Sequence, residues 1–340
     1  MIRNRLRIAV PAVLAAGLLG LALASPAPGT LTAADAANAA AATTYPNPGV
    51  VTGDTSVHDP SMIRAANGTY YLFGTGGGIG IATSTDRVNF TADGQVLPGG
   101  ATWATAYGGS TDLWAPDVSY HNGTYWLYYA VSTFGSNHSA IGLATSTTLA
   151  PGSWTDQGLV YSSQTTSNYN AIDPGLFEDS SGRYWLSLGS FWSGIKMIQI
   201  NPSTGKQLAT NTTLYSIAER PSPDAEEASY IFPHGGYYYL FVSFDYCCEG
   251  VNSTYRIMVG RSTSPTGPYV DESGTAMLSG GGTQILATHG NVIGPGGQSV
   301  MADTDGDLLI YHYYSLALGG TPELGINYLD WASNGWPYVA

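Results

Sequence analysis

The sequence predicts an all-β chain folded as a five-bladed β-propeller, and three observations lead there. Five short runs have strand length and β composition: "TYYLFGT", "TYWLYYAVS", "RYWLSLGS", "YYYLFVSF" and "LLIYHYYS". Each follows a glycine turn: "NGTYY" at 67, "NGTYW" at 122, "SSGRYW" at 180, "HGGYYY" at 234 and "DGDLLI" at 305. The turn glycines Gly68, Gly123, Gly182, Gly236 and Gly306 recur at spacings of 55, 59, 54 and 70 residues. Units of this size with several short strands each suggest propeller blades, whereas a β-sandwich would leave five similar units unexplained.

The turns come first, because they set the strand ends. Asn-Gly and Asp-Gly between apolar runs mark two-residue hairpins, whose central positions need positive φ. The two "NGT" triplets also match a glycosylation sequon, but only the turn reading accounts for all five sites. The glycine-rich "GTGGGIG" at 74 to 80 is followed by nothing helical, so it reads as a turn between strands and not as a phosphate cradle. "GIGIATSTDRVNF" and "VSTFGSNHSAIGLATS" look like matching second and third strands of blades. Forty-four glycines, 24 tyrosines and eight tryptophans suit tight turns and aromatic sheets, and no amphipathic helix stands out.

The first residues read as a targeting segment. "MIRNRLR" supplies Arg3, Arg5 and Arg7, and the uncharged "IAVPAVLAAGLLGLALA" ends in the small-x-small pattern Ala22-Leu23-Ala24. The run is short for a membrane span and contains Pro11. Residues 1–42 are therefore expected to be a signal peptide with an Ala/Pro-rich linker, cleaved between 24 and 42. Residues 43–340 would form the secreted, extracellular propeller.

Charge narrows the partners. Only 10% of residues are charged, and the net charge is −13. It becomes −16 once a leader through Ala24, with its three arginines and no acid, is removed. Such a surface argues against nucleic acid or an anionic membrane and fits a neutral substrate. The only cysteines, Cys247 and Cys248, are adjacent. They read as a disulfide between neighbours or a pair of buried thiols, with no second ligand pair to make a metal site.

Against this sparse background two aspartates stand out, Asp59 in "VHDPSMI" and Asp173 in "NAIDPGLFED". Each lies nine residues before its turn glycine, as do Glu227 and Gly297, while Ala115 lies eight before Gly123. One structural position in five blades is thus expected to hold Asp59, Ala115, Asp173, Glu227 and Gly297. First strands line a propeller's channel, so three carboxylates should converge at one mouth of it. An Asp-Pro turn can simply cap a backbone N–H, but three acids at matched offsets call for more. Asp117, in "WAPDV", has an offset of six and is left out of the site, facing either channel or turn.

Converging carboxylates suit glycoside hydrolysis, in which one acid protonates the leaving oxygen and a second carboxylate activates water or attacks the sugar. "VHDPSMI", "NAIDPGLFED", "GSFWSGIKM", "EEASYIF", "FDYCCEGVNSTYRIMVGRS" and "VIGPGGQSV" together resemble the endo-arabinanase branch of the family 43 glycoside hydrolases. The resemblance runs from about Pro46 to the C-terminus. It implies a five-bladed propeller and an inverting enzyme acting as a monomer on α-1,5-linked L-arabinan of plant cell-wall pectin.

By the same resemblance Asp59 is the general base, Glu227 the general acid and Asp173 the residue that tunes the acid. Glu226 is the rival acid, but adjacent strand residues face opposite ways. Asp59, Asn170, Ala171, Ile172, Asp173, Ser190, Phe191, Trp192 and Gly135 in "STFGSN" are implied substrate contacts. Trp114 would stack on a sugar or pack between blades. No cofactor is required. Relatives often carry a histidine in the "GPG" block that helps to hold a calcium ion in the channel; here Gly297 stands there, which leaves His289 or His312 as candidate ligands. Exo action, a xylosidase of the same fold and a non-catalytic carbohydrate-binding propeller stay open as alternatives.

Overall fold

The computed structural model describes residues 45–340, so the expected signal peptide and linker lie outside the described residues. Twenty-one strands form five sheets in chain order. Blade 1 contains β2 (Ser61–Arg64), β3 (Tyr70–Gly74), β4 (Gly80–Ser84) and β5 (Asn89–Gln95), with β1 (Thr52–Gly53) parallel to its outer edge. Blade 2 contains β6 (Trp114–His121), β7 (Thr124–Val131), β8 (Ala140–Ser146) and β9 (Thr155–Ser162). Blade 3 contains β10 (Gly175–Glu178), β11 (Tyr184–Leu188), β12 (Ile195–Ile200) and β13 (Tyr215–Ala218). Blade 4 contains β14 (Glu226–His234), β15 (Tyr237–Phe244), β16 (Arg256–Ser262) and β17 (Thr283–Leu286). Blade 5 contains β18 (Val292–Asp303), β19 (Gly306–Ser315), β20 (Thr321–Trp331) and β21 (Pro337–Val339). Among the described residues the only helical pieces are three short 3-10 turns.

All five turn glycines have positive φ, from 76° at Gly182 to 149° at Gly306. Asn122 and Gly123 form the two-residue hairpin that the sequence predicts, with His121 paired to Thr124. Gly235 and Gly236 do the same between His234 and Tyr237. The 74 to 80 segment is the loop joining β3 to β4.

The core explains why the second strands read as almost continuous apolar runs. Each hydrophobic cluster lies between two neighbouring blades, so each blade buries both faces. Along β7, Leu127 and Tyr129 face Phe73 and Ile81 of blade 1, while Trp126 and Tyr128 face Leu186 and Ile198 of blade 3. Alternation along the strand selects the neighbour, not core against solvent.

No strand is shared between the first and last blades, so side chains and an N-terminal segment close the ring. Residues 47 to 56 run along β20, where Gly49 N–H donates to Ile326 O at 2.8 Å and Leu324 N–H to Thr55 O at 2.9 Å. Asp303, at the end of β18, accepts from Tyr70 Oη at 2.7 Å and from Arg87 Nη1 at 2.8 Å. Its side chain is almost fully buried, so losing it would strand Tyr70 Oη and leave Arg87 to Asp305 alone. Asp303→Ala should therefore destabilise the fold by about 2 kcal/mol, the scale for leaving a buried donor unpaired. Urea unfolding would measure this, and a loss near zero would mean that the seam does not depend on Asp303.

Candidate active site

The chain bends at a left-handed residue within or just before each of the inner strands β2, β6, β10, β14 and β18. These residues are Asp59 (φ 47°), Ala115 (45°), Asp173 (53°), Ala228 (55°) and Gly297 (58°). A left-handed non-glycine residue costs roughly 1–2 kcal/mol, so the four positions with Asp or Ala are held against a local cost. Four of the five expected blade-head residues hold that position. In blade 4 the kink falls on Ala228 and Glu227 precedes it: Ala228 lies eight residues before Gly236, as Ala115 does before Gly123, both blades having a two-residue turn that ends on the glycine.

The kinks surround a narrow axial cavity of about 30 Å³, lined by Pro60, Pro116, Pro174 and Gln298 among others. Above it opens a cleft of about 720 Å³ whose wall includes Asp59, Asp173 and Glu227. The three acids expected to meet do so.

Their environments differ. Asp59 Oδ2 accepts from Thr75 Oγ1 at 2.7 Å and lies 2.9 Å from His58 Nδ1. Burial alone would raise its pKa, but the His58 charge and hydrogen bond, His312 and Thr75 overcome this and hold the carboxyl well below the usual range. Burial favours the neutral form of His58, yet the carboxylate beside it raises the imidazole pKa, so the two act as a pair. Glu227 accepts from Ser190 Oγ at 2.6 Å, and Asp173 accepts the Ala228 N–H at 2.9 Å. Burial pushes Asp173 far up, reinforced by the charges of Glu227 and Asp59. Burial also pushes Glu227 up, against the Ser190 hydrogen bond and with the charge of Asp59. One carboxyl of depressed proton affinity thus faces two whose proton affinity is raised. The raised proton affinity belongs to Asp173 and Glu227 together.

Glu226, the rival acid, is fully buried away from the cleft with neither carboxyl oxygen hydrogen bonded. Burial raises its pKa to about 8, with Arg220 and Lys196 opposing and Glu219 adding.

Trp114, Gly135, Asn170, Ile172, Ser190, Phe191 and Trp192 all line the cleft, as expected. Trp114 is therefore on the cleft wall and is not packed wholly between blades. Phe191 and Trp192 both have positive φ, which turns two aromatic side chains into the cleft between Gly189 and Gly194. Ala171 is different. Its side chain is fully buried in the core between blades 2 and 3 and has no place on the wall.

Asp117, left undecided above, lines the narrow axial cavity, where its Oδ2 accepts the Leu176 N–H at 2.7 Å. Burial raises its pKa to about 7, only partly offset by that bond. The cleft wall also includes residues that the sequence did not single out, namely His58, Thr75, Tyr246 and the cysteine pair. His58 had a signal: it is one of only six histidines and directly precedes Asp59. The cysteines form a disulfide between neighbours, with Cys248 exposed.

Of the two candidate metal ligands, His289 has both ring nitrogens beside backbone carbonyls, of Ala287 at 2.8 Å and Pro46 at 3.0 Å, and is spent on structure. His312 is fully buried, with Nδ1 accepting the Asp59 N–H and Nε2 without a partner. That tautomer leaves a proton on Nε2, which suits a water or an anionic oxygen. Calcium takes six to eight oxygens. The cluster of His58, Asp59 and His312 offers one carboxylate and two imidazoles, so it fits only an ion that keeps most of its water. Position 297 has no room for a side chain: a Cβ there would lie 2.6 Å from both Asp59 Oδ1 and the His312 ring.

A carboxyl of low proton affinity opposite two of raised proton affinity, in an aromatic-walled cleft on a propeller axis, is the equipment of a glycoside hydrolase. The comparisons agree. Residues 45–337 match the model of glycosyl hydrolases family 43, and the chain belongs to that family. The chain is 48% identical to the extracellular endo-alpha-(1->5)-L-arabinanase 1 of Bacillus subtilis over 288 residues, covering 83% of this chain and 87% of the relative. It is 45% identical to the arabinan endo-1,5-alpha-L-arabinosidase A of Aspergillus niger over 309 residues, covering 87% and 94%. Among solved structures, the GH43 endo-arabinanase from Bacillus licheniformis superimposes with a TM-score of 0.80 at 46% identity, covering 85% of this chain and 99% of that one. An exo-1,5-alpha-L-arabinanase from a bovine ruminal metagenomic library also reaches 0.80, at 42% identity and the same coverage.

Two predictions follow from the packing. Gly297→Ala combines a strained φ with a Cβ pressed against the Asp59 oxygen, and should lower the rate by about 10²-fold, the scale for small displacements of a reacting group. Kinetics on folded variant would measure it, and a near-normal rate would show that the oxygen is not held as described. Glu226 has a raised pKa in the folded state. Its contribution to stability is present in full below its unfolded pKa and is lost as pH rises through about 8. Glu226→Gln should flatten the decline in melting temperature between pH 5 and pH 8; an unchanged slope would assign that decline to other groups.

Proposed function

We propose that the protein is a secreted, inverting glycoside hydrolase that cleaves α-1,5-linked L-arabinan internally, in the side chains of plant cell-wall pectin. The observation that carries the reading is the opposed proton affinity of Asp59 and of the Asp173–Glu227 pair across one cleft. The names of the sequence relatives support arabinan as substrate, and the extracellular name of the Bacillus subtilis relative supports secretion. All three acids come from one chain, which suits a monomer.

In this mechanism Asp59 is the general base. It takes a proton from a water that attacks the anomeric carbon on the face opposite the leaving group. Oδ2 is engaged by Thr75 and His58, which leaves Oδ1 as the oxygen that receives the proton. Glu227 is the general acid and gives its proton to the departing glycosidic oxygen as the bond breaks. Attack and departure on opposite faces invert the anomeric configuration. Asp173, held by the N–H of the residue after Glu227, keeps the proton affinity of the acid high. Trp114, Phe191 and Trp192 offer apolar faces to successive sugars. No cofactor takes part in either proton transfer. A calcium ion near His312 would be a hydrated ion that adjusts charge on the axis.

Exo action is the second reading, favoured by the equal structural likeness to an exo-acting neighbour. Linear, debranched arabinan followed by NMR and chain-length analysis separates the two. Internal inverting cleavage gives a spread of short oligomers of inverted configuration from the first minutes. A single short product from the outset would move the reading to exo action, and retained configuration would remove Asp59 as base. Asp59→Ala should abolish activity on every substrate, whereas Glu227→Ala should partly spare an activated aryl glycoside that needs no acid, within the roughly 10²–10⁴-fold worth of acid–base help. Asp173→Asn removes a carboxyl whose ionisation is coupled to that of Glu227, so the alkaline limb of the rate profile should move to lower pH.

A further inference from the structure

Asp59 is the end of a hydrogen-bonded line that begins at the disulfide. The Cys248 N–H donates to Tyr314 Oη at 2.7 Å, and Tyr314 Oη meets His58 Nε2 at 2.8 Å. His58 Nδ1 then meets Asp59 Oδ2 at 2.9 Å. Cys248 Sγ lies a further 3.8 Å from His58 Nε2, and the His58 ring stacks on His312 with centroids 3.6 Å apart. The line joins three parts of the ring: the loop after β15, strand β19, and the segment before β2.

We infer that His58 and Tyr314 are positioning residues for Asp59 and that the Cys247–Cys248 turn holds the Tyr314 hydroxyl; the inference rests on the reading of Asp59 as the base. Two donors of different origin meet at Oδ2, Thr75 from the end of blade 1's second strand and His58 from the chain just before Asp59. Thr75 alone would leave the carboxylate free to swing about that one bond. With His58 also on Oδ2, the other oxygen keeps a single direction. His58 is itself fixed by the His312 ring beneath it and by the hydroxyl at its far nitrogen. The hydroxyl accepts the Cys248 N–H, which leaves its proton for the Nε2 of a neutral His58, or its second lone pair for the N–H of a charged one. The Cys248 N–H points there because Cys248 is left-handed, with φ 69°. A bond between adjacent sulfurs restricts that turn to few conformations. The disulfide is thereby tied to the chemistry although no sulfur takes part in it.

Tyr314 tests the inference cleanly, because it is not part of the cleft wall and Tyr314→Phe deletes one oxygen. Kinetics on linear arabinan would be measured for Tyr314→Phe, His58→Ala, His58→Asn and Asp59→Ala, with thermal melts confirming the fold. Each protein would be assayed oxidised and after reduction by a phosphine. Tyr314→Phe should lower kcat about 10-fold with KM nearly unchanged, and His58→Ala should lower it about 10²-fold, the scale for a misplaced catalytic group. His58→Asn keeps a donor at the Nδ1 position and should recover to the level of Tyr314→Phe. Reduction should lower the kcat of the wild type but leave Tyr314→Phe unaffected, since both break the same link. Wild-type kcat in Tyr314→Phe and His58→Asn, or a rise in KM alone, would overturn the positioning role even if Asp59→Ala is inactive. Activity retained by Asp59→Ala would instead remove the base reading on which the inference rests.

Discussion

The site depends on one backbone constraint, the left-handed residue that kinks each inner strand at the axis. Five strands must start at nearly the same radius around a cavity of about 30 Å³, which leaves almost no room for side chains. The kink turns each chain away from the axis and aims the side chain at or next to it into the wider cleft above. Asp59 and Asp173 occupy the kink itself, and Glu227 directly precedes it. Ala115 and Gly297 fill the remaining positions, and small residues there keep the cleft floor open. The strain of these conformations is offset by interblade packing, since every blade buries both of its faces.

With the acids converged, their differing protonation follows from their neighbours. The protein has few charges, and it places three of its acids where each would rather be neutral. Only Asp59 has both an imidazole and a hydroxyl donor within hydrogen-bond distance. Glu227 receives a hydroxyl and Asp173 a backbone N–H, neither of which outweighs burial. The opposed proton affinities thus arise largely from His58, which sits next to Asp59 in the chain and meets its carboxylate directly.

The parts of this arrangement visible in the sequence are those governed by local geometry. Turn glycines such as Gly123 are readable because only glycine, asparagine and aspartate accept positive φ cheaply. Counting back from them located Asp59 and Asp173. The count slipped by one at blade 4, because its two-residue turn ends on the glycine as in blade 2, so Ala228 and not Glu227 carries the kink. Ala171 was misplaced for a related reason: a contiguous motif suggests a contiguous surface, but alternate strand-end residues face the core. Tyr314 and the cysteine turn were illegible as site residues, since they come from other blades and meet His58 only through closure of the ring.

That closure gives the molecule a sense of order in time. Each blade is contiguous in the chain and no strand is exchanged between the first and the last. As the polypeptide emerges from N- to C-terminus, four blades can form while the circle remains open. Asp59 is present almost from the beginning, but His312 and Tyr314 arrive only with the final sheet. Asp59 therefore lacks those rings until the last blade docks against residues 47 to 56. A chain that ends before the last blade would hold all three acids and still leave Asp59 without them, so the assembled site is a property of the finished circle.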